Sequence, residues 1–434
     1  MYEVTLYGKK LNLLASVFLI LSGLIILFPL LFPYVELGFT LIDEILILVF
    51  TLLIFYHVYQ GVIPWPVVVI IVSLIFLFGI SIISPYYRGF PISILQIFTH
   101  LKFFIVFYLI VTLTEDKYKI SFFHIVAVFS LVGILVNLFF PGYFEFTEGE
   151  KYRFLEGIPR VVGFQSKPNN LAYSAILLQI VYGFYLLTSN RSDKYILYGI
   201  LTISSISIVV LSGSRASLIF YPVIFYYSLK DYFKLNLKNL LLLSVIFSLM
   251  MVVFILLSDT FIDVTSKNLS TVGAQGTVDY YNPRSFLYYY GYVLFIDFFP
   301  VGTGAATFGS TYSPGSDVYK MLGIDQMQFV QTTAGLFDSN LACIAGEFGL
   351  LGLLLFIGLS IYFYKWGIRH YESKYDKRRF VLIYIFLIFL ATKGNVFMNG
   401  IYALLFSFAL TLPKTRGHYA SESNPYRVNR LQNN

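Results

Sequence analysis

The chain has 434 residues, 58% of them hydrophobic and only 12% charged, with a mean hydropathy of +0.76, whereas a soluble domain carries about 25% charged residues. That balance excludes a soluble globular enzyme and points to lipid as the solvent, in which helices satisfy their own backbone groups. The formal net charge of +7 falls mostly in loops between apolar runs, so it reads as membrane topology and not as a nucleic-acid surface.

Apolar stretches of near-spanning length lie at about residues 11–32, 38–58, 64–84, 92–113, 121–140, 169–188, 194–211, 216–229, 239–257, 341–364, 379–392 and 396–412. They predict an all-α integral membrane protein of about twelve transmembrane helices. The first run follows Lys9 and Lys10 without a small-residue cleavage site, so it reads as a retained helix with a cytoplasmic amino terminus. Alternating from there, nineteen basic residues fall on the cytoplasmic side and ten on the other, with Lys102 inside a span, in keeping with the positive-inside rule. Both termini are then cytoplasmic, with residues 1–415 a single polytopic transmembrane domain and 416–434 a polar cytoplasmic tail.

Two outward segments exceed simple connections, at 141–168 and 258–340, and long loops of this kind usually carry function. The second contains SFLYYYGYVLFIDFF at 285–299, aromatic-rich and broken by Asp297, which predicts a helix lying at the membrane interface. A single cysteine, Cys343, offers no internal disulfide. Five scattered histidines show no pair at a ligand spacing, which disfavours a metal. No cofactor motif is visible.

Arg215 stands in LSGSRASL, where a Ser-Gly-Ser break meets a new helical stretch near the outer end of a span. An arginine there suits an anion, because freed N–H groups and a helix dipole face the same corner; the alternative is a snorkelling arginine that caps the preceding helix. Arg284, in YYNPRSF, sets another five-donor fork at the outer boundary, fitted to a pyrophosphate or to anchoring an amphipathic helix on headgroups. Arg160 and Lys167 in PRVVGFQSKPNN add positive charge on the same side. In GLFDSNLACIAGEFGLLG, Asp338 and Asn340 sit at the mouth of a helix and Glu347 two turns inside it. Asp338 is either a helix cap or a general base, and Glu347 either a working ionisable group or a packing polar residue satisfied by a neighbouring helix.

The ordered series GFQSKPNNLAYS (163–174), LSGSRASL (211–218), PRSFLYYYGYVLFIDFFPVGTGAATF (283–308) and FDSNLACIAGEFGLLG (337–352) resembles the O-antigen polymerase and O-antigen ligase superfamily, over roughly residues 155–412. The resemblance implies a GT-C-like, metal-independent glycosyltransferase with a large periplasmic loop in the bacterial inner membrane, using undecaprenyl-diphosphate-linked oligosaccharide and no nucleotide sugar. It implies that Arg215 and Arg284 engage the donor diphosphate. Ligases of the superfamily typically carry His-Asn where this chain has Asp338-Ser339, a departure that points to a polymerase.

On that reading Asp338 is the candidate base, with Arg160 and Lys167 guiding charged groups and Asn170, Asn340 and Glu347 lining the substrate site. Tyr280 and Tyr281 stack on sugar rings or are simply interfacial aromatics. The expected partners are the lipid-linked oligosaccharide, membrane lipid and a chain-length regulator (a Wzz-like co-polymerase). The rivals are a ligase or oligosaccharyltransferase using the same donor and, from another class, a polysaccharide or sugar-lipid transporter.

Overall fold

The computed structural model describes residues 15–23, 39–139, 168–212, 214–230, 283–331, 336–337, 339–392 and 394–412, and contains helices and no strand among them. In chain order the helices are α1 (residues 15–23), α2 (Phe39–Tyr59), α3 (Trp65–Ile83), α4 (Phe90–Leu113), α5 (Asp116–Phe139), α6 (Pro168–Thr188) and α7 (Lys194–Ser212). Then come α8 (Arg215–Leu218), α9 (Tyr221–Leu229), α10 (Pro283–Asp297), α11 (Asp317–Met321), α12 (Gln328–Gln331), α13 (Asn340–Ile368), α14 (Lys374–Ala391) and α15 (Gly400–Leu410).

Local sequence sets many of these boundaries. Helix α3 opens on a proline in its first turn, where the missing N–H costs nothing. Side chains of Ser339, Ser373 and Asn399 accept hydrogen bonds from first-turn N–H groups of α13, α14 and α15, as N-caps do. The cap of α13 is therefore Ser339, with Ala342 N as its donor at 3.2 Å. Asp338 itself falls outside the described residues.

The expectation of about twelve spans is corrected here. Among the described residues six helical segments are long and apolar enough to cross a membrane: Trp65–Ile83, Phe90–Leu113, Tyr118–Val136, Asn169–Thr188, Lys194–Ser212 and Asn340–Ile368. Three of the expected spans fail for visible reasons. The run 216–229 is divided into α8 and α9, with Pro222 in the first turn of α9. The run 396–412 yields only the eleven residues of α15, because Asn399 starts the helix late. Helix α14 is long enough but carries Lys374, Asp376, Lys377, Arg378 and Arg379 in its first two turns. Hydropathy cannot tell an apolar helix facing lipid from one enclosed by protein, and α15 is of the second kind, buried on nearly every side. The run 239–257 lies outside the described residues, and 11–32 mostly so, while within 38–58 the segment Leu46–Tyr59 counts only as a shorter apolar helix.

The core is aromatic and centred on α4, whose residues from Thr99 to Ile110 are all buried. Phe103, Phe104 and Phe107 stack among Phe363, Phe380 and Phe397. Helices α3, α5 and α7 instead expose apolar side chains such as Ile75, Leu131 and Ile203, the surface that a bilayer would cover.

Helix directions give the bundle two ends. Gln179 pairs with Thr202 and Ala175 with Ser205, so α6 and α7 are antiparallel and the end of α7 lies level with the start of α6. Tyr371, beyond α13, bonds Leu412 O at the far end of α15. One end thus collects the start of α5, the α6–α7 turn, the end of α13 and the start of α14, with Lys119, Arg191, Lys194, Lys365, Arg369 and Arg378 among its cations. The other end collects the α3–α4 turn, the start of α6, the end of α7, and the starts of α13 and α15.

The helix expected at 285–299 exists as α10. It packs along the first half of α13, where a Cβ on Gly291 would touch Ala342 O at 2.9 Å and one on Gly346 would meet Leu294 at 3.4 Å. Contacts advance together along both helices, so α10 and α13 run in the same direction and start at the same end. At fifteen residues α10 is not among the spanning helices.

Candidate functional site

The end of the bundle without the basic cluster gathers four of the motifs that are far apart in sequence. Asn170 is in the first turn of α6, Arg215 opens α8 just past α7, Arg284 is in the first turn of α10 and Asn340 begins α13. Long-range bonds tie these starts together. Tyr402 on α15 donates to Asn170 Oδ1, Asn340 Oδ1 accepts from Phe397 N at 3.1 Å, and Asn340 N donates to Gly394 O at 3.2 Å. Tyr288 on α10 donates to Thr392 O. Asn170 and Asn340 are both buried, and Asn340 Nδ2 has no hydrogen-bond partner among the described residues.

Arg160, Lys167, Tyr280, Tyr281 and Asp338 fall outside the described residues, and for Arg215 and Arg284 only the backbone is described.

Behind this end lies a polar knot that only the fold makes visible. Glu347, wholly buried on α13, lies 2.8 Å through Oε2 from His100 Nε2 on α4. Its Oε1 accepts from Thr307 N at 2.9 Å, Phe308 N at 3.1 Å and the Ser310 hydroxyl. Burying a carboxylate is costly unless donors replace its hydration, and here both oxygens are engaged. The backbone of the same turn of α13 is used as well, since Gly346 O accepts from Thr303 N and Glu347 O accepts from Gly304 N at 2.9 and 2.7 Å.

These bonds pin residues 300–310 into a break in α13. Gly349 leaves the helical conformation at φ 56°, ψ −150°, and Leu351 N donates to Pro300 O at 3.2 Å. Gly302, at φ 71°, approaches so closely that a Cβ would lie 2.6 Å from Glu347 O and from Gly349 N. Non-helical backbone is tolerated in such a protein where it is enclosed and its polar groups are paired. The loop is also braced by Ser81 of α3 and by Ser84 just past its end, with Ser84 donating to Thr303 O and Ala305 N to Ser81 Oγ.

Tyr319 closes the loop from α11. Its hydroxyl accepts from Gly309 N at 2.9 Å and lies 2.7 Å from Ser313 Oγ. The single Ser313 hydroxyl hydrogen goes to Ser310 O, so the phenol is the donor to Ser313. Burial pushes the Tyr319 phenol up from its ordinary value, so it remains a neutral donor across the physiological range.

Cys343 joins the same knot, with Sγ 3.9 Å from His100 Nε2. His100, Cys343 and Glu347 bring one ligand atom each within 4.8 Å of one another, and N, S and O donors of this kind suit zinc. The scattered histidines of the sequence gave no hint of it, because His100 and Glu347 are 247 residues apart. The fit to a metal is incomplete. Three donors fall one short of a closed structural site, and His100 Nδ1, which in a metal site would hold a second partner, has none among the described residues.

Compared with known proteins, residues 200–357, from within α7 to within α13, match the model of a family described as O-Antigen ligase (Wzy_C). The matched segment covers less than half of the chain and contains Arg215, Arg284, Asp338, Asn340 and Glu347. No curated protein matches the chain.

Proposed function

We propose that the protein is a membrane glycosyltransferase that polymerises lipid-linked saccharide repeats. A glycan on undecaprenyl diphosphate is the donor, and a hydroxyl at the non-reducing end of the next lipid-linked repeat is the acceptor. The observation that carries this reading is the convergence, at one end of the bundle, of the helix starts and ends that bear Asn170, Arg215, Arg284 and Asn340. The basic cluster at the opposite end supports a cytoplasmic side there and an active face outside. The similarity of residues 200–357 to an O-antigen ligase family supports an enzyme of glycan processing over a transporter.

In the transfer, the acceptor oxygen forms a bond to the anomeric carbon as the bond from that carbon to the diphosphate oxygen breaks. Undecaprenyl diphosphate leaves with the bonding electron pair. Arg215 and Arg284 stabilise the charge that grows on it, as fixed donors in a water-poor cleft do, and no metal is required for that step. Asp338 takes the acceptor proton. Ser339 already supplies the α13 cap, which supports a role for Asp338 other than capping. Arg160 and Lys167 draw the anionic lipid in, and Tyr280 and Tyr281 stack on its sugars.

A ligase acting on the same donor is the second reading, favoured by the description of the matched family and opposed by Asp338-Ser339 in place of His-Asn. Purified protein in liposomes with lipid-linked repeat, in a chelator, tests both. Ladders of multiple repeats on the lipid support a polymerase. Transfer only to an added acceptor supports a ligase, and translocation without new linkages supports a transporter.

A further inference from the structure

We infer that Glu347 and His100 are a positioning pair, holding the 300–310 loop in the break of α13 and so fixing where α10 presents Arg284. The inference deepens the proposed function and rests on it only for its activity readout.

The geometry is one of a peg in a socket. One carboxylate oxygen gathers two backbone N–H groups and a hydroxyl from residues 307–310, and the other is held by His100 Nε2. Neither oxygen is exposed. The His100 ring is boxed by Phe348 and Phe356, edge-on at 5.2 and 6.0 Å between centroids, so the imidazole cannot swing away from the carboxylate without unpacking the core. A group so enclosed cannot reach a sugar or a diphosphate.

What the pair holds is a short lever. Between the Glu347-bound turn at 307–310 and the last residue of α10 lie only nine residues. Those residues are stitched to α13 at Gly346, Glu347 and Gly349 and to α3 at Ser81 and Ser84. Helix α10 is gripped at its far end by this loop and along its length by α13, while its first turn, with Arg284, is the end left to face the site. Releasing the loop leaves α10 held only by its packing on α13 and by the Tyr288 bond to Thr392 O, so its tilt along α13 widens and the arginine moves with it.

The test pairs a distance measurement with activity in the full-length protein. Spin labels on Tyr292→Cys and Leu354→Cys, both exposed, report the placement of α10 against α13, with the buried Cys343 left in place. The parent should give one narrow distance distribution. Glu347→Ala should broaden it at least twofold and lower kcat/KM at least tenfold, mainly through KM for the lipid donor. Glu347→Gln keeps a carbonyl oxygen for the 307–310 donors and should retain the narrow distribution and activity within about threefold of the parent. Should Glu347→Ala fail to accumulate, Ser310→Ala removes one donor, and a measurable broadening is expected.

A parental distribution in Glu347→Ala, or in Ser310→Ala where that variant stands in, would overturn the proposal. So would an inactive Glu347→Gln with parental distances, since the carboxylate would then be needed for its proton. Stoichiometric zinc in the purified parent would overturn it too, by making Glu347 a ligand. An inactive parent with the expected distances would count against the polymerase reading alone.

Discussion

Tyr402, near the start of α15, donates its hydroxyl hydrogen to Asn170 Oδ1 at the start of α6, joining positions 232 residues apart. Both side chains are buried. Tyr402→Phe should therefore lower the unfolding midpoint in detergent, at a cost of about 1 to 3 kcal/mol for an acceptor that loses a buried donor. If Asn170 also lines the substrate site, Asn170→Ala should raise KM for the lipid donor beyond any effect of Tyr402→Phe. Equal effects on KM from the two variants would leave Asn170 as a tether between helices.

Gly349→Ala tests the break in α13. The residue would be forced to a positive φ and its Cβ would lie 2.7 Å from Gly302 N, with the Pro300 carbonyl closer still. Backbone strain alone costs about 1 to 3 kcal/mol, so a clear loss of thermal stability is expected. Gly358, with open space around a Cβ, provides the control: Gly358→Ala should be neutral or gain up to about 1 kcal/mol from helix propensity.

Arg215→Lys and Arg284→Lys should each lose activity at normal abundance. Lysine keeps a point charge but not the planar fork that grips a diphosphate through two bonds. A charge-assisted contact is worth about 1.5 to 3 kcal/mol, or roughly ten- to a hundredfold in rate when it acts on the transition state. Polymer formation per mole of folded protein is the measurement, and parental rates in both variants would remove the diphosphate-clamp argument.

Asp338→Asn separates a base from a bystander. An amide cannot take a proton, and loss of a general base costs about a hundred- to ten-thousandfold. Because the α13 cap is Ser339, stability should hardly change. Near-parental turnover in Asp338→Asn would mean that the acceptor hydroxyl attacks without help from this carboxylate.

The sidedness of the bundle is open to labelling. In a Cys343→Ala background, a cysteine at Asp317, whose side chain is 73% exposed, should react with an impermeant maleimide from outside the membrane. A cysteine at Lys377, in the first turn of α14, should react only after permeabilisation. The reverse pattern would invert the protein and the proposed outer active face with it.

The helical class, the helix at 285–299 and the order of the polar motifs were legible in the sequence, because each depends on composition or spacing within one segment. The number of spans was not. Hydropathy reads α15 as a crossing helix, whereas its length was decided by a capping asparagine, and it reads 216–229 as one run although a proline divides it. The socket for Glu347 was also hidden. Its partners are a lone histidine in an apolar stretch and backbone N–H groups of a glycine-rich loop, neither of which advertises a partner. Glu347 itself was conspicuous, as any carboxylate in an apolar run is; what it touches was a property of the fold.

The break at Gly349 divides α13 mechanically. From Gly349 to Ile368 the helix measures about 30 Å, the thickness of a bilayer's hydrocarbon core, while the nine residues before it are clamped to α10 and its loop. A membrane that thins or thickens changes the tilt of the helices it contains. The joint itself is gripped, with Leu351 N on Pro300 O and Gly302 against Gly349, so a tilt imposed on the spanning half is handed on to residues 300–310 instead of being absorbed. The loop and α10 would thereby register the thickness of the bilayer around α13.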